Sequence, residues 1–166
     1  MKTTAVYPGT FDPVTYGHLD LITRSLSVFD AVIVAVAVNP GKRPLFSTHE
    51  RVEMIKTATS RHRGVRVESF DTLLVDFCVR KKAYTVVRGL RAVSDFEYEL
   101  QLSQMNRTLD KKVETVFMMP SEEYNFISSK IIKEVAGLGG DVSGLVPPGV
   151  VKALKEKFKA MKRSGK

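Results

Sequence analysis

The sequence is short of several features that would decide its class at once. It has one cysteine, Cys78, among 166 residues, so no disulfide can form within the chain. No apolar run is long enough to span a bilayer. The N-terminus lacks the charged-then-apolar layout of a secretory leader, because Tyr7-Pro8-Gly9 interrupts it early. Nothing reads G-x-x-x-x-G-K-S/T, and the G-x-G-x-x-G dinucleotide fingerprint is missing. There is no internal repeat, low-complexity tract or linker. These absences argue against a disulfide scaffold, a membrane protein and two familiar phosphate-binding loops. They predict a cytoplasmic chain folded as one domain over residues 1–166.

The hydrophobic fraction of 43% fits a globular core, and the net charge of +8 favours anionic partners. Much of the charge sits at the C-terminal end, in Lys152, Lys155, Lys157, Lys159, Lys162, Arg163 and Lys166. Val151, Leu154, Phe158 and Met161 recur there at helical spacing. The segment reads as a basic amphipathic helix at about 148–163, with its apolar stripe on the core. It lacks the interleaved aromatics of a single-strand binder, so neither nucleic acid nor membrane is the expected partner.

Strand and helix patterns alternate along the chain. Strands are predicted at 3–7, 31–38, 65–70, 84–89 and 113–119, the second being the continuous run AVIVAVAV. Helices are predicted between them, two opening on capping boxes at Ser47–Glu50 and Ser94–Glu97. Two more follow the fifth strand, over about 128–136 and after Pro147-Pro148. The pattern implies a single doubly wound, Rossmann-like α/β domain with a five-stranded parallel sheet flanked by helices.

In such sheets ligands bind beyond the carboxyl ends of the strands. The unusual residues follow the strands here: Gly9, Thr10 and His18; Lys42 and Arg43; Asp71 to Leu74; Arg88 to Arg91; Pro120 to Ser129. One crevice gathering helix N-termini, cations and a histidine suits phosphate groups. Gly9 and Gly17 would let a ligand approach the backbone. Each feature also has a plain structural reading. His18 can cap a helix, Arg88 and Arg91 can pair with acids, and Ser128 can be an N-cap. Cys78 reads as a packed core thiol, and Met118 and Met119 as core strand residues.

YPGTFDPVTYGH (residues 7–18) resembles the signature of the H/T-x-G-H nucleotidyltransferase superfamily. RGLRAVSDFEYE (88–99) and FISSKIIKE (126–134) resemble two further motifs of one family within it, the bacterial phosphopantetheine adenylyltransferases. The likeness covers nearly the whole chain in order and spacing. Thr15, where relatives with other substrates usually carry His, narrows the choice.

The resemblance implies transfer of AMP from ATP to 4′-phosphopantetheine, giving 3′-dephospho-coenzyme A and pyrophosphate by direct in-line displacement. It implies His18 as the catalytic donor to the α-phosphate. Thr10 would orient the acceptor phosphate and also touch ATP, with Phe11 beside it. Lys42 and Arg88 would hold the acceptor phosphate, and Leu74, with Met105 and Asn106, its arm. Gly89, Leu90, Arg91 and Glu99 would contact ATP, together with Tyr124, Asn125, Phe126, Ile127, Ser128, Ser129 and Lys130. Lys130 departs from relatives that carry a small hydroxyl residue there. Mg2+ is expected with the nucleotide, held mostly by phosphate and water, with no protein metal site. A homohexamer and coenzyme A as a feedback ligand are also implied. Two alternatives stand beside this: a sibling enzyme using nicotinamide mononucleotide or a cytidylyl-type acceptor, and a basic nucleic-acid-binding module.

Overall fold

The structure, a computed structural model, describes residues 3–38, 41, 43–91 and 93–164. Strands β1 (Thr4–Gly9), β2 (Ala31–Ala37), β3 (Val65–Phe70), β4 (Thr85–Gly89) and β5 (Glu114–Met118) form one parallel sheet in the order β3-β2-β1-β4-β5. Helices α1 (Tyr16–Leu26), α2 (Thr48–Ala58), α5 (Ser129–Gly137) and α6 (Pro148–Ser164) contribute to the larger core. A smaller core receives Val75, Phe77 and Cys78 from α3 (Leu74–Lys81). α4 (Val93–Leu109) contacts α3 and β5. Runs such as Val32 to Val36 are fully buried because cores cover the sheet on both sides.

The chain order reverses between β1 and β4, which marks the expected ligand crevice. β1 pairs with β2 over six rungs, from Thr4–Ala31 to Gly9–Val36. It pairs with β4 over only two, Ala5–Thr85 and Val6–Val86. Pro8 has no N–H to offer a ladder, and its carbonyl is taken by a side chain from β4, Arg88 Nη1 at 2.7 Å. The two strands therefore part at their carboxyl ends.

Several boundaries differ from the sequence reading. β1 continues through Pro8 and Gly9, because the β2 side of its ladder is intact. β5 ends at Met118, leaving Met119 67% exposed instead of in the core. α4 begins at Val93, so Ser94 lies inside its first turn and not ahead of it as a cap. The Ser47–Glu50 box is present in both directions, at 2.7 and 3.2 Å. Along α6, Leu154 is buried but Met161 is exposed, because the helix runs past the core before its apolar stripe ends.

Candidate active site

Two adjoining cavities open at the carboxyl end of the sheet. The first, of about 290 Å³, is lined from the ends of β1 and β4, the chain beyond β5, one face of α4, and the starts of α1 and α5. The second, of about 340 Å³, is lined from β1, the ends of β2 and β3, and α4. They share Pro8, Gly9, Thr10, Arg88 and Glu99. The single crevice expected from the sequence is thus two chambers with a common wall.

His18 stands at the third position of α1, inside a capping box built with Thr15. The Thr15 N–H donates to His18 Nδ1 at 3.0 Å, and Thr15 Oγ1 lies 3.0 Å from the same nitrogen. Accepting from an N–H leaves the neutral ring its proton on Nε2. Among the described residues nothing accepts from Nε2. Burial first, then the Arg91 and Arg88 charges, push the His18 pKa down to about 4. The ring is therefore a neutral donor held in one tautomer. The Phe11 ring meets the His18 ring edge-on at 5.0 Å, and the Tyr7 ring meets the Phe11 ring edge-on at 5.3 Å. Thr15 itself is buried and lies behind the histidine.

Arg88 is held by a bidentate pair with Glu99, through Nε at 2.6 Å and through Nη2. A guanidinium has five N–H groups. Glu99 takes two and Pro8 O one, leaving one each on Nη1 and Nη2. That pair of donors is what a phosphate takes from an arginine. Burial opposes the Arg88 charge, but Glu99 outweighs it and the pKa is raised. Arg91 pairs with Asp95 and donates to Ile127 O at 3.0 Å, which ties the loop after β4 to the loop after β5.

Beneath the first cavity the α5 N-terminus is assembled by its two serines. Ser128 Oγ accepts from Ile131 N at 3.2 Å as the N-cap, and Ser129 Oγ donates to Pro13 O at 2.8 Å. Both serines line the cavity with Tyr124. Free N–H groups of a first helical turn suit an anion there. Nearby, Asp12 accepts from Leu45 N, Phe46 N and Lys133 Nζ, binding the β1 loop to α5 and to the approach of α2. Asp20 accepts from Ser121 N and Oγ at 2.9 Å each.

Of the residues singled out in the sequence, Thr10, Phe11, His18, Gly89, Arg91, Tyr124, Ser128 and Ser129 line the first cavity. Thr10, Arg88 and Glu99 stand on the common wall, and Leu74 and Asn106 line the second cavity. Lys42 lies outside the described residues. Met105 and Phe126 are 58% and 64% exposed, and the Lys130 side chain is exposed on α5. The Ile127 side chain sits in the core, with only its carbonyl turned to Arg91. Leu90 donates its N–H to Met118 O, and Asn125 Oδ1 is buried without a partner among the described residues.

Gly9 lines both cavities, and it has a reason beyond the one expected. A Cβ there would come within 2.9 Å of the Phe11 ring, so the protein's own packing requires the glycine. Sequence reasoning missed Asp95, Asp12, Lys133 and Asp20. Only Asp95 carried a signal, four residues from Arg91 in a register that favours ion pairs.

Residues 6–135 match the model of the cytidylyltransferase-like family. Phosphopantetheine adenylyltransferase of Geobacter sulfurreducens is 56% identical over 154 residues, covering 93% of this chain and 94% of that one. The protein of the same name from Thermodesulfovibrio yellowstonii is 57% identical over 160 residues, covering 96% and 99%. Among solved structures, a Vibrio parahaemolyticus protein provisionally assigned as a nicotinate-nucleotide adenylyltransferase superposes with a TM-score of 0.70. It is 19% identical, with 95% of each chain covered, a likeness of fold alone.

Proposed function

Because the chain belongs to the cytidylyltransferase-like family, and within it to the phosphopantetheine adenylyltransferases, we propose that it transfers AMP from ATP to 4′-phosphopantetheine. The products are 3′-dephospho-coenzyme A and pyrophosphate, a step of coenzyme A synthesis. What supports this reading most is the pair of cavities meeting at Thr10, Arg88 and Glu99. Two substrates in adjoining chambers can bring their reacting phosphates together at the shared wall.

ATP occupies the first chamber and the pantetheine arm the second, beside Leu74 and Asn106. An oxygen of the acceptor phosphate attacks the α-phosphorus of ATP. The new P–O bond forms as the bond to the β-phosphate oxygen breaks, and pyrophosphate leaves with that electron pair. A phosphate monoester is already ionised at neutral pH, so no general base is needed. The neutral His18 Nε2–H donates to the α-phosphate as charge develops. Thr10 orients the acceptor phosphate, and Arg88, with Lys42, holds it through the N–H groups that Glu99 and Pro8 leave free. Gly89, Leu90, Arg91 and the 124–130 segment contact the nucleotide, Ile127 and Lys130 through their backbone.

Asp95 and Glu99, the carboxylates lining the first cavity, are both engaged by arginines. These residues do not fit a protein-held metal site. Magnesium enters with ATP on phosphate oxygens and water, and no step here is routed through it.

Phe96, Tyr98, Leu102, Met105 and Leu109 on α4, with Val116 on edge strand β5, leave apolar side chains exposed, which supports a homohexamer. Coenzyme A carries the same arm and acts as a feedback ligand of the second chamber. Among the described residues no helix is long and apolar enough to cross a membrane. The proposed location is the cytoplasm.

Pyrophosphate release with ATP and a panel of acceptors tests the reading. Release should need 4′-phosphopantetheine, and nicotinamide mononucleotide should not replace it. Preference for nicotinamide mononucleotide or a cytidylyl-type acceptor would overturn the assignment.

A further inference from the structure

Arg51 is 2% exposed, and no carboxylate among the described residues pairs with it. A buried guanidinium without an ion-pair partner is destabilising unless its donors are well used. Its Nη1 donates to Thr10 O at 2.7 Å and to Ala37 O at 3.0 Å, and its Nη2 to Thr48 Oγ1 at 3.0 Å, while its Nε is buried with no partner among the described residues. Burial lowers its pKa, with the Asp12 charge acting in the other direction.

The position of the two carbonyls is informative. The β1–β2 ladder ends at Gly9–Val36, and Thr10 and Ala37 are the residues that follow on each strand. The ladder already joins the strands, so stability alone does not require a charged group at this point. Arg51 acts where the ladder stops and the chains turn away. Thr10 and Ala37 both line the second cavity, so Arg51 stands directly behind two residues of that wall.

We propose that Arg51 is a positioning residue for the acceptor: by holding Thr10 O and Ala37 O on one nitrogen, it fixes the Thr10 hydroxyl for the incoming phosphate. This rests on the reading of Thr10 given above. Of the two cavities Ala37 lines only the second, and in the first Thr10 is one of many lining residues, so ATP depends on Arg51 less.

The test uses Arg51→Met, which keeps volume and loses both contacts, with Arg51→Lys, which keeps a charge and donors. Arg51→Met should raise KM for 4′-phosphopantetheine about tenfold or more, as expected for lost bonds from a charged donor. The Kd for ATP should move less than about threefold, and Arg51→Lys should recover part of the loss. In a Thr10→Ala background, Arg51→Met should add less than about twofold to the acceptor KM, because the route is already cut. An unchanged acceptor KM in Arg51→Met overturns the proposal. So do parallel losses for both substrates with a lowered Tm, which mean a structural staple. If Arg51→Met does not fold, Arg51→Lys is judged by the same split between acceptor KM and ATP Kd. A normal acceptor KM in Thr10→Ala would sink the reading of Thr10 and this proposal together. A raised KM in Thr10→Ala beside a normal one in Arg51→Met would sink this proposal alone.

Discussion

At His18 a fold role and the proposed chemical role meet in one side chain. Its Nδ1 closes the α1 capping box, and that same bond leaves its proton on the nitrogen available to the cavity. Loss of one donor that acts on a transition state lowers rate on the order of 10²–10³. His18→Ala should therefore reduce kcat by that much while Kd for ATP changes far less. A near-normal kcat would remove His18 from the donor role. A second consequence concerns pH. The folded protein holds His18 neutral with a pKa near 4, against an ordinary value of 6.5. Between these values the unfolded chain binds the extra proton, so this contribution to stability is full above about pH 6.5 and lost as pH falls toward 4. Thermal unfolding of the ligand-free protein, from about pH 7.5 down to about 4.5, should lose stability more steeply than His18→Gln does. Equal slopes would mean that the ring is not held neutral. The histidine was visible in the sequence, but its tautomer was not, since that depends on one backbone N–H.

At the scale of elements, the site depends on contacts between segments far apart in sequence. Asp12, with a side chain 5% exposed, joins the β1 loop to α5 through Lys133 and to the approach of α2 through two N–H groups. Removing one partner of such a buried set costs about 3 kcal/mol, because the others are left unpaired. Asp12→Ala should show that loss in chemical denaturation, whereas Glu156→Ala should stay within about 0.5 kcal/mol. The Lys152–Glu156 pair is long and open to solvent. Comparable losses from the two substitutions would show that the Asp12 contacts do not join these segments. These contacts also mark the limit of what the sequence made legible. The five-strand parallel sheet followed from the alternation of β-branched runs with helical spacing, because burial on both faces writes itself into composition, whereas the strand order and several strand ends did not. The Ser47 cap was equally plain, since its partners are three residues apart. Asp12 and Lys133 are 121 positions apart, and no local pattern links them. Arg51 left a trace: it shares the buried stripe of α2 with Ile55, which the buried C-cap Thr59 continues at the same four-residue spacing. An arginine in an apolar stripe ordinarily reads as a snorkelling surface residue. Only the two carbonyls it meets show otherwise. The Ser94–Glu97 pattern misled for the opposite reason: the helix starts two residues earlier than a cap at Ser94 requires, so the motif is present without the position that gives it meaning.

For the molecule as a whole, the arrangement of chambers decides the reaction path. A covalent route needs an enzyme nucleophile that reaches the α-phosphorus, and Cys78, His18, Ser128 and Ser129 are each poorly suited to that role. Cys78 is fully buried in α3, and burial pushes its thiol up to about 11, with Asp110 adding to the shift. Ser128 Oγ caps α5, and Ser129 Oγ donates to Pro13 O. Neither serine is hydrogen-bonded to a base that would take its proton, as serine nucleophiles generally require. His18 presents Nε2–H, a donor, and its Nδ1 lone pair is taken by Thr15. On the proposed function, the acceptor is expected to attack ATP directly, with the two substrates on either side of the Thr10–Arg88 wall. Enzyme and ATP alone should release no stoichiometric burst of pyrophosphate. Labelled pyrophosphate should not exchange into ATP unless dephospho-coenzyme A is present. An ATP analogue chiral at an α-phosphorothioate should react with inversion, as one in-line displacement demands. Retention of configuration, or isolation of an adenylylated enzyme, would require a nucleophile that none of these side chains supplies, and would overturn direct transfer even with the overall reaction intact.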